Sequence, residues 1–181
     1  SVEPLIALFG APQRILAAAA LLDESTCEVT HGALDGAGTI LAQYPGMVAS
    51  LNHAKIVNDL AESQIEGELG TLTVNAIATP SRARLDLRET SKSGDTVGYS
   101  SAKTLTRELD LPQTSNSMGY ELADFAAACE AVNAGTPVED APAGAYGTVS
   151  QFRDITLASL TLMDEARRQT GVVFPADAQA Q

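Results

Sequence analysis

Two rhythms of apolar and polar residues divide this chain. As far as residue 111 the spacing is mostly that of strands, and from Tyr120 onward it is that of helices. Residues 1–9 stand apart from both: they read as an amphipathic helix closed by Gly10 and followed by Pro12, the usual way for a helix to stop. Residues 14–22 form an apolar, Ala-rich run whose place after Gly10-Ala11-Pro12 favours a strand. Residues 23–35 are polar and turn-rich. Short strands are then expected at 38–44, 47–57, 61–66 and 71–77, joined by a Pro45-Gly46 turn, a bend at Asn58 and Asp59, and a tight connection over 67–70.

The cleanest alternation lies at 82–88, with Ala83, Leu85 and Leu87 on one face and Arg82, Arg84, Asp86 and Arg88 on the other. That is a strand with one buried and one polar face, as in an antiparallel sheet covered on one side. Further strands are expected at 96–102 and 104–111. The period then changes. Leu122, Phe125, Cys129 and Val132 make one stripe of a helix over 120–133, and Val149, Phe152, Ile155, Ser159, Leu162, Met163 and Ala166 make a longer one over 145–170, ending at Gly171. Strands first and helices afterwards predict an α+β fold, an open and mostly antiparallel sheet with helices packed on one face and the other face left open.

With 181 residues, 45% of them hydrophobic, the chain has material for one domain with a core, 1–181. The net charge of −12 and the scattering of its 11 Lys and Arg argue against nucleic acid, which requires clustered cations. No apolar run approaches the roughly 18 residues of a membrane span, and a soluble cytoplasmic protein is the expectation. Cys27 and Cys129 lack CxxC partners and read as reduced thiols, with a disulfide as the alternative. No His, Cys or carboxylate pair has metal-ligand spacing on a helix, so no metal is expected. Without Trp and with 4% aromatic residues, little is available for a stacking platform.

Candidate chemistry is thin. Alternation groups His53 with Leu51 and Lys55 and expects it at the open face of the sheet, where an imidazole can act as acid, base or hydrogen-bond partner of a polyol, or serve simply as a surface residue. Asn58 and Asp59 carry short polar side chains able to orient a hydroxyl, although Asn-Asp is also ordinary turn chemistry. Tyr99 is a further candidate for the edge of a pocket, or for cross-strand packing. His31 reads as a solvated loop residue. The Arg82, Arg84 and Arg88 stripe, interrupted by Asp86, reads as a solvated or self-pairing face more readily than as an anion site.

Four stretches carry a resemblance: Leu8-Phe9-Gly10-Ala11-Pro12, Ile65-Glu66-Gly67-Glu68-Leu69-Gly70-Thr71-Leu72, Tyr120-Glu121-Leu122-Ala123-Asp124-Phe125, and Gln169-Thr170-Gly171 to Pro175. In order and spacing the chain resembles the C-terminal domain of the Gfo/Idh/MocA family of NAD(P)-dependent oxidoreductases, among them the sugar, polyol and dihydrodiol dehydrogenases, with a dihydrodipicolinate-reductase-like fold. The resemblance implies a substrate-binding and oligomerisation domain whose sheet walls a carbohydrate-like substrate's pocket and forms a homo-oligomer, a dimer at least. The bend at Asn58 and Asp59 is where such proteins commonly place a substrate contact. NAD or NADP is implied for the parent protein and none for this chain. The Rossmann GxGxxG, the Glu-Lys-Pro and the Asp-x-Gly-x-His or Asp-x-Gly-x-Tyr of the family do not occur here, and the last of these would end just before Ser1. The expectation is therefore a fragment that is inactive alone. Its alternatives are a non-enzymatic dimerisation scaffold or a small-ligand sensor domain.

Overall fold

The computed structural model describes residues 2–22, 34–58, 61–88, 104–113 and 116–174. Helix α1 (Val2–Phe9) is followed by strands β1 (Arg14–Leu22), β2 (Leu34–Tyr44), β3 (Met47–Ala54), β4 (Ser63–Gly67), β5 (Gly70–Val74), β6 (Ala83–Arg88) and β7 (Thr104–Leu109), then by helices α2 (Met118–Asn133) and α3 (Val149–Thr170). The α+β class and the antiparallel pairing are those expected. The strands are shared between two sheets, ordered β1-β2-β3 and β4-β5-β6-β7. The chain divides into two compact units, Ser1–Asp59 with Tyr120–Gln181, and Leu60–Gly119. The strand expected at 96–102 and the residues Cys27, His31, Asp59 and Tyr99 lie outside the described residues.

In the first unit, α1 and α3 lie on one face of the three-stranded sheet. Leu5 and Ile6 of α1, Ile15, Ala42 and Tyr44 of the sheet, and Leu162 and Ala166 of α3 form the buried core. Tyr44 also donates its hydroxyl proton to the Gly10 carbonyl at 3.0 Å, tying the helix exit to the sheet. Gly10 takes a φ of 73°, a left-handed value that closes the helix without a Cβ penalty. The β2–β3 hairpin turns at Pro45-Gly46, with Tyr44 paired to Met47 and Gly46 at φ 75°.

Helix α3 starts in a capping box: the Thr148 hydroxyl accepts from the Gln151 backbone N–H, and the Gln151 side chain accepts from the Thr148 N–H. It ends at Gly171 in the left-handed region, with Arg167 and Arg168 in its last turn, where cations suit the helix dipole. Near that end Gln169 reaches the free edge of β1. Its Oε1 accepts from the Ala17 N–H at 2.7 Å and its Nε2 donates to the Ile15 carbonyl at 3.2 Å. A side chain thus supplies the ladder partners that a further strand would have offered.

Two sequence expectations are corrected in this unit. Strand β2 begins at Leu34, inside the stretch read as turns, because β1 runs on to Leu22 and pairs with it. The stripe of α2 is helical as expected but exposed: no residue of α2 is buried, and Leu122 and Phe125 are 66% and 70% accessible. Periodicity marks the apolar face of a helix and says nothing of what covers it. Cys129, on that stripe, is an exposed free thiol.

The second unit is a four-stranded meander. Its register places Ile65, Leu72 and Leu85 in one cross-strand row and Val74, Ala83 and Leu109 in the next, all on one face. Gln64, Thr73, Arg84 and Glu108 form a row on the other face, so the alternation of 82–88 is reproduced by its neighbours. There the arginines pair with carboxylates, Arg84 with Asp86 at 2.8 Å and Arg82 with Glu62 at 2.8 Å. Hydrogen bonds from Thr106 and Arg84 hold the Asp86 carboxyl below its ordinary value, and Asp86 in turn raises Arg84.

Candidate functional site

A cavity of about 520 Å³ opens in the first unit between the inner face of the three-stranded sheet and the C-terminal half of α3. Ala17 and Ala19 of β1, Ile40 of β2 and Leu51 of β3 line it from the sheet, and Leu160, Met163 and Val172 from the helix side. Small side chains on β1 make the room. The stretch that reads in sequence as a featureless Ala-rich run is thus the surface that leaves space for a ligand.

Polar groups line it as well, Asp35 and His53 from the sheet among them. Alternation along β3 puts His53 with Leu51, as expected, but that face is the one covered by α1 and α3 and not the open one. Leu51 packs against the core cluster, and His53 lines the cavity two residues further on. The imidazole lies over Gly38, its cross-strand partner: a Cβ on Gly38 would stand 2.6 Å from the His53 Cε1. A glycine at this point of β2 is what admits the ring.

Asp35 completes the group, and sequence reasoning missed it. Strict alternation from Ile40 through Gly38 would put Asp35 on the opposite face. The β1–β2 register, however, slips by one residue: Ala20 pairs with Ala37 and Leu21 with Asp35, leaving Gly36 as the extra residue of a bulge. The bulge brings Asp35 to the side of His53, where its Oδ2 meets His53 Nε2 and its Oδ1 accepts from Lys55 Nζ at 2.8 Å. The signal was a Gly-x-Gly in a strand, which marks a bulge or a close approach.

Burial raises the pKa of Asp35, but the hydrogen bonds and charges of Lys55 and His53 outweigh it and hold the carboxyl below its ordinary 3.8. A folded-state pKa below the unfolded one stabilises the fold above pH 3.8, and that contribution disappears as the pH falls through the lowered value. Native chain is therefore expected to be more resistant to urea than Asp35→Asn at neutral pH, with the difference shrinking below pH 3.8. A difference that stays constant down to strong acid would show that the pair contributes no proton-linked stability.

On the helix side Arg167 donates from Nη2 to Asp164 Oδ1 at 3.1 Å, and its guanidinium lies 4.6 Å over the Phe174 ring. Asn58 is exposed and does not line the cavity. Of the four residues singled out from sequence, the structure brings His53 to the cavity, leaves Asn58 away from it, and does not describe Asp59 or Tyr99. Among the described residues no three His, Cys, Asp or Glu side chains cluster as a metal site, and no helix is long and apolar enough to cross a membrane.

No family model matches the chain. It is 27% identical over 176 residues, 97% of its length, to scyllo-inositol 2-dehydrogenase (NADP(+)) IolU of Bacillus subtilis, of which it covers 43%. It is 28% identical over 172 residues to the uncharacterized oxidoreductase YgjR of Escherichia coli, covering 95% of this chain and 42% of that one. The chain thus spans less than half the length of these curated relatives. Among solved structures, UDP-N-acetylglucosamine 3-dehydrogenase GnnA of Acidithiobacillus ferrooxidans superposes with a TM-score of 0.60 over 93% of this chain and 45% of that one, at 17% identity, a likeness of fold. The chain resembles the C-terminal domain of the Gfo/Idh/MocA oxidoreductases in sequence over nearly its whole length, and its fold is that of oxidoreductase structures.

Proposed function

We propose that this chain, 1–181, is the substrate-binding and oligomerisation domain of an NAD(P)-dependent oxidoreductase that acts on a sugar, polyol or diol. The observation that carries the reading is its similarity in sequence, over 97% of the chain, to a protein named as an inositol dehydrogenase. The cavity agrees in kind, being mostly apolar with a few polar groups, as small-molecule sites are.

A nicotinamide cofactor goes with this reading. Gly67 and Gly70 are the pair that most resembles a phosphate loop, yet they face each other across the β4–β5 turn and lead into a strand. A pyrophosphate is received by the N–H groups of a helix start, which this turn does not offer. The reading therefore assigns cofactor binding to a part of the protein outside this chain. What this chain contributes is orientation of the alcohol and exclusion of water from the reacting carbon. Incubating the full-length protein with NAD⁺ or NADP⁺ and a panel of cyclitols, hexoses and vicinal diols is expected to reduce the nucleotide with at least one of them. Silence across the panel with both nucleotides overturns the reading.

The outer face of the three-stranded sheet exposes Leu16, Leu41 and Val48, with Leu16 and Leu41 directly paired. This face favours self-association, whether in an oxidoreductase or in a scaffold without chemistry. Leu41→Arg is expected to reduce the assembly state measured by sedimentation without lowering the melting temperature. An unchanged state would remove this face from consideration as the interface.

A further inference from the structure

Strand β1 has β2 on one side and, among the described residues, no strand on the other. Charges and prolines are the ordinary protection of such an edge against pairing with another chain. From Ile15 to Leu22 it carries neither, nor any glycine, and Leu16 and Leu21 are exposed. A groove of about 580 Å³ separates the edge from α3, lined by Ala11, Gln13 and Ile15 on the strand side and by Ala158, Thr161 and Glu165 on the helix side. The edge can therefore be approached.

What stands on it is one amide. Gln169 accepts at Oε1 from the Ala17 N–H at 2.7 Å and donates from Nε2 to the Ile15 carbonyl at 3.2 Å, as a neighbouring strand would. Nε2 also donates to Glu165 Oε1 at 2.7 Å, and Glu165 is paired in turn with Arg168. The amide is thus held from the helix as well as from the strand. Gln169 is exposed and lies outside the core cluster, so its contribution is made at the edge and not in the packing of α3.

We propose that Gln169 is a plug, an autoinhibitory contact that keeps the β1 edge from pairing with the β1 of a second copy of this chain. The groups it holds belong to Ile15 and Ala17, alternate residues whose N–H and C=O both face the edge. Two such strands related by a two-fold axis are self-complementary, each supplying the acceptor that the other's N–H needs. Neither brings a charge that must be desolvated. Pairing must first expel the amide and give up its bonds to β1, and that requirement is the latch. The inference is independent of the oxidoreductase reading.

The test is sedimentation of the full chain with Gln169→Ala, together with amide exchange at Ala17. The variant is expected to gain a species of doubled mass, absent from the native chain, whose share rises with concentration. Exchange at Ala17 is expected to be faster in the dilute variant than in the native chain and to slow again as concentration rises. Loosening of α3 alone would speed exchange along the helix and show no such recovery. Gln169→Asn, one methylene too short to reach both groups, is expected to do the same and serves where the alanine variant does not fold. A peptide of residues 14–22 with lysines added at its ends probes the occupant directly. Gln169→Ala is expected to bind it at least about tenfold more tightly than the native chain does, since no hydrogen-bonded amide has to be displaced. The same peptide N-methylated at alternate residues, which removes its edge donors, is expected not to bind. An unchanged mass in both variants, equal peptide affinity for native chain and variant, or binding indifferent to N-methylation overturns the assignment.

Discussion

Leu162→Ala is expected to remove about 3 kcal/mol from the stability of the chain, as a buried Leu→Ala change in a packed core does. Leu162 is 5% exposed and belongs to the cluster that joins Leu5 and Ile6 of α1 to Ile15, Ala42 and Tyr44 of the sheet. Three elements meet around it. None can close the gap without leaving the other two, so relaxation recovers little of the lost contact. The measurement is the urea midpoint at unchanged slope. Leu157 on the same helix is 54% exposed and supplies the control: its replacement by alanine is expected to cost within about 0.5 kcal/mol. Equal losses at the two positions would mean that α3 does not present the face described.

Gly70→Ala is expected to cost about 2 kcal/mol, by overpacking instead of by cavity. Gly70 opens β5 and pairs with Gly67 on one side and Leu87 on the other. A Cβ there would fall on the backbone carbonyl oxygen of Asp86 and stand 3.1 Å from the Leu87 Cα. Backbone of a strand paired on both sides, as β6 is by β5 and β7, cannot swing aside as a flexible side chain does. The β5–β6 pairing itself must move, and faster amide exchange along β5 and β6 is the readout. Gly67 is the comparison, since a Cβ on it would meet nothing nearer than 3.5 Å. Gly67→Ala is expected to be tolerated, and if it is as damaging as Gly70→Ala, close approach is not the reason for the glycine.

Much of this fold was legible because its signals are local. The α3 stripe through Ser159, Leu162 and Ala166 is buried as its period predicts, β1 occupies the expected 14–22, and Pro45-Gly46 turns the hairpin it marks. The division of the strands between two sheets was not legible. Residues 55–57 alternate as plausibly as those before them, and only pairing ends β3 at Ala54. Nor was the exposure of Leu122 and Phe125, because a stripe specifies a surface and not its partner. At the site, His53 was visible as a lone imidazole but was assigned to the wrong face. Which face of a strand is covered is settled by helices far away in sequence, here α1 and α3. Asp35 was hidden for a different reason, since a register slip at Gly36 breaks the very alternation used to read faces.

That slip gives the site a kind of independence. A residue inserted into a regular ladder would reverse every side chain beyond it, core and rim together. Here β2 regains its pairing with β1 at once, Leu34 lying opposite Leu22, so the extra residue is absorbed where it occurs. Asp35 sits beyond the bulge, while Ile40, Ala42 and Tyr44 sit on the other side of it, inside or against the core. Variation at the acid can therefore proceed without repacking the hydrophobic centre, and variation at the centre without moving the acid. In an evolving lineage such an arrangement would let ligand preference drift while thermal stability is held under separate selection.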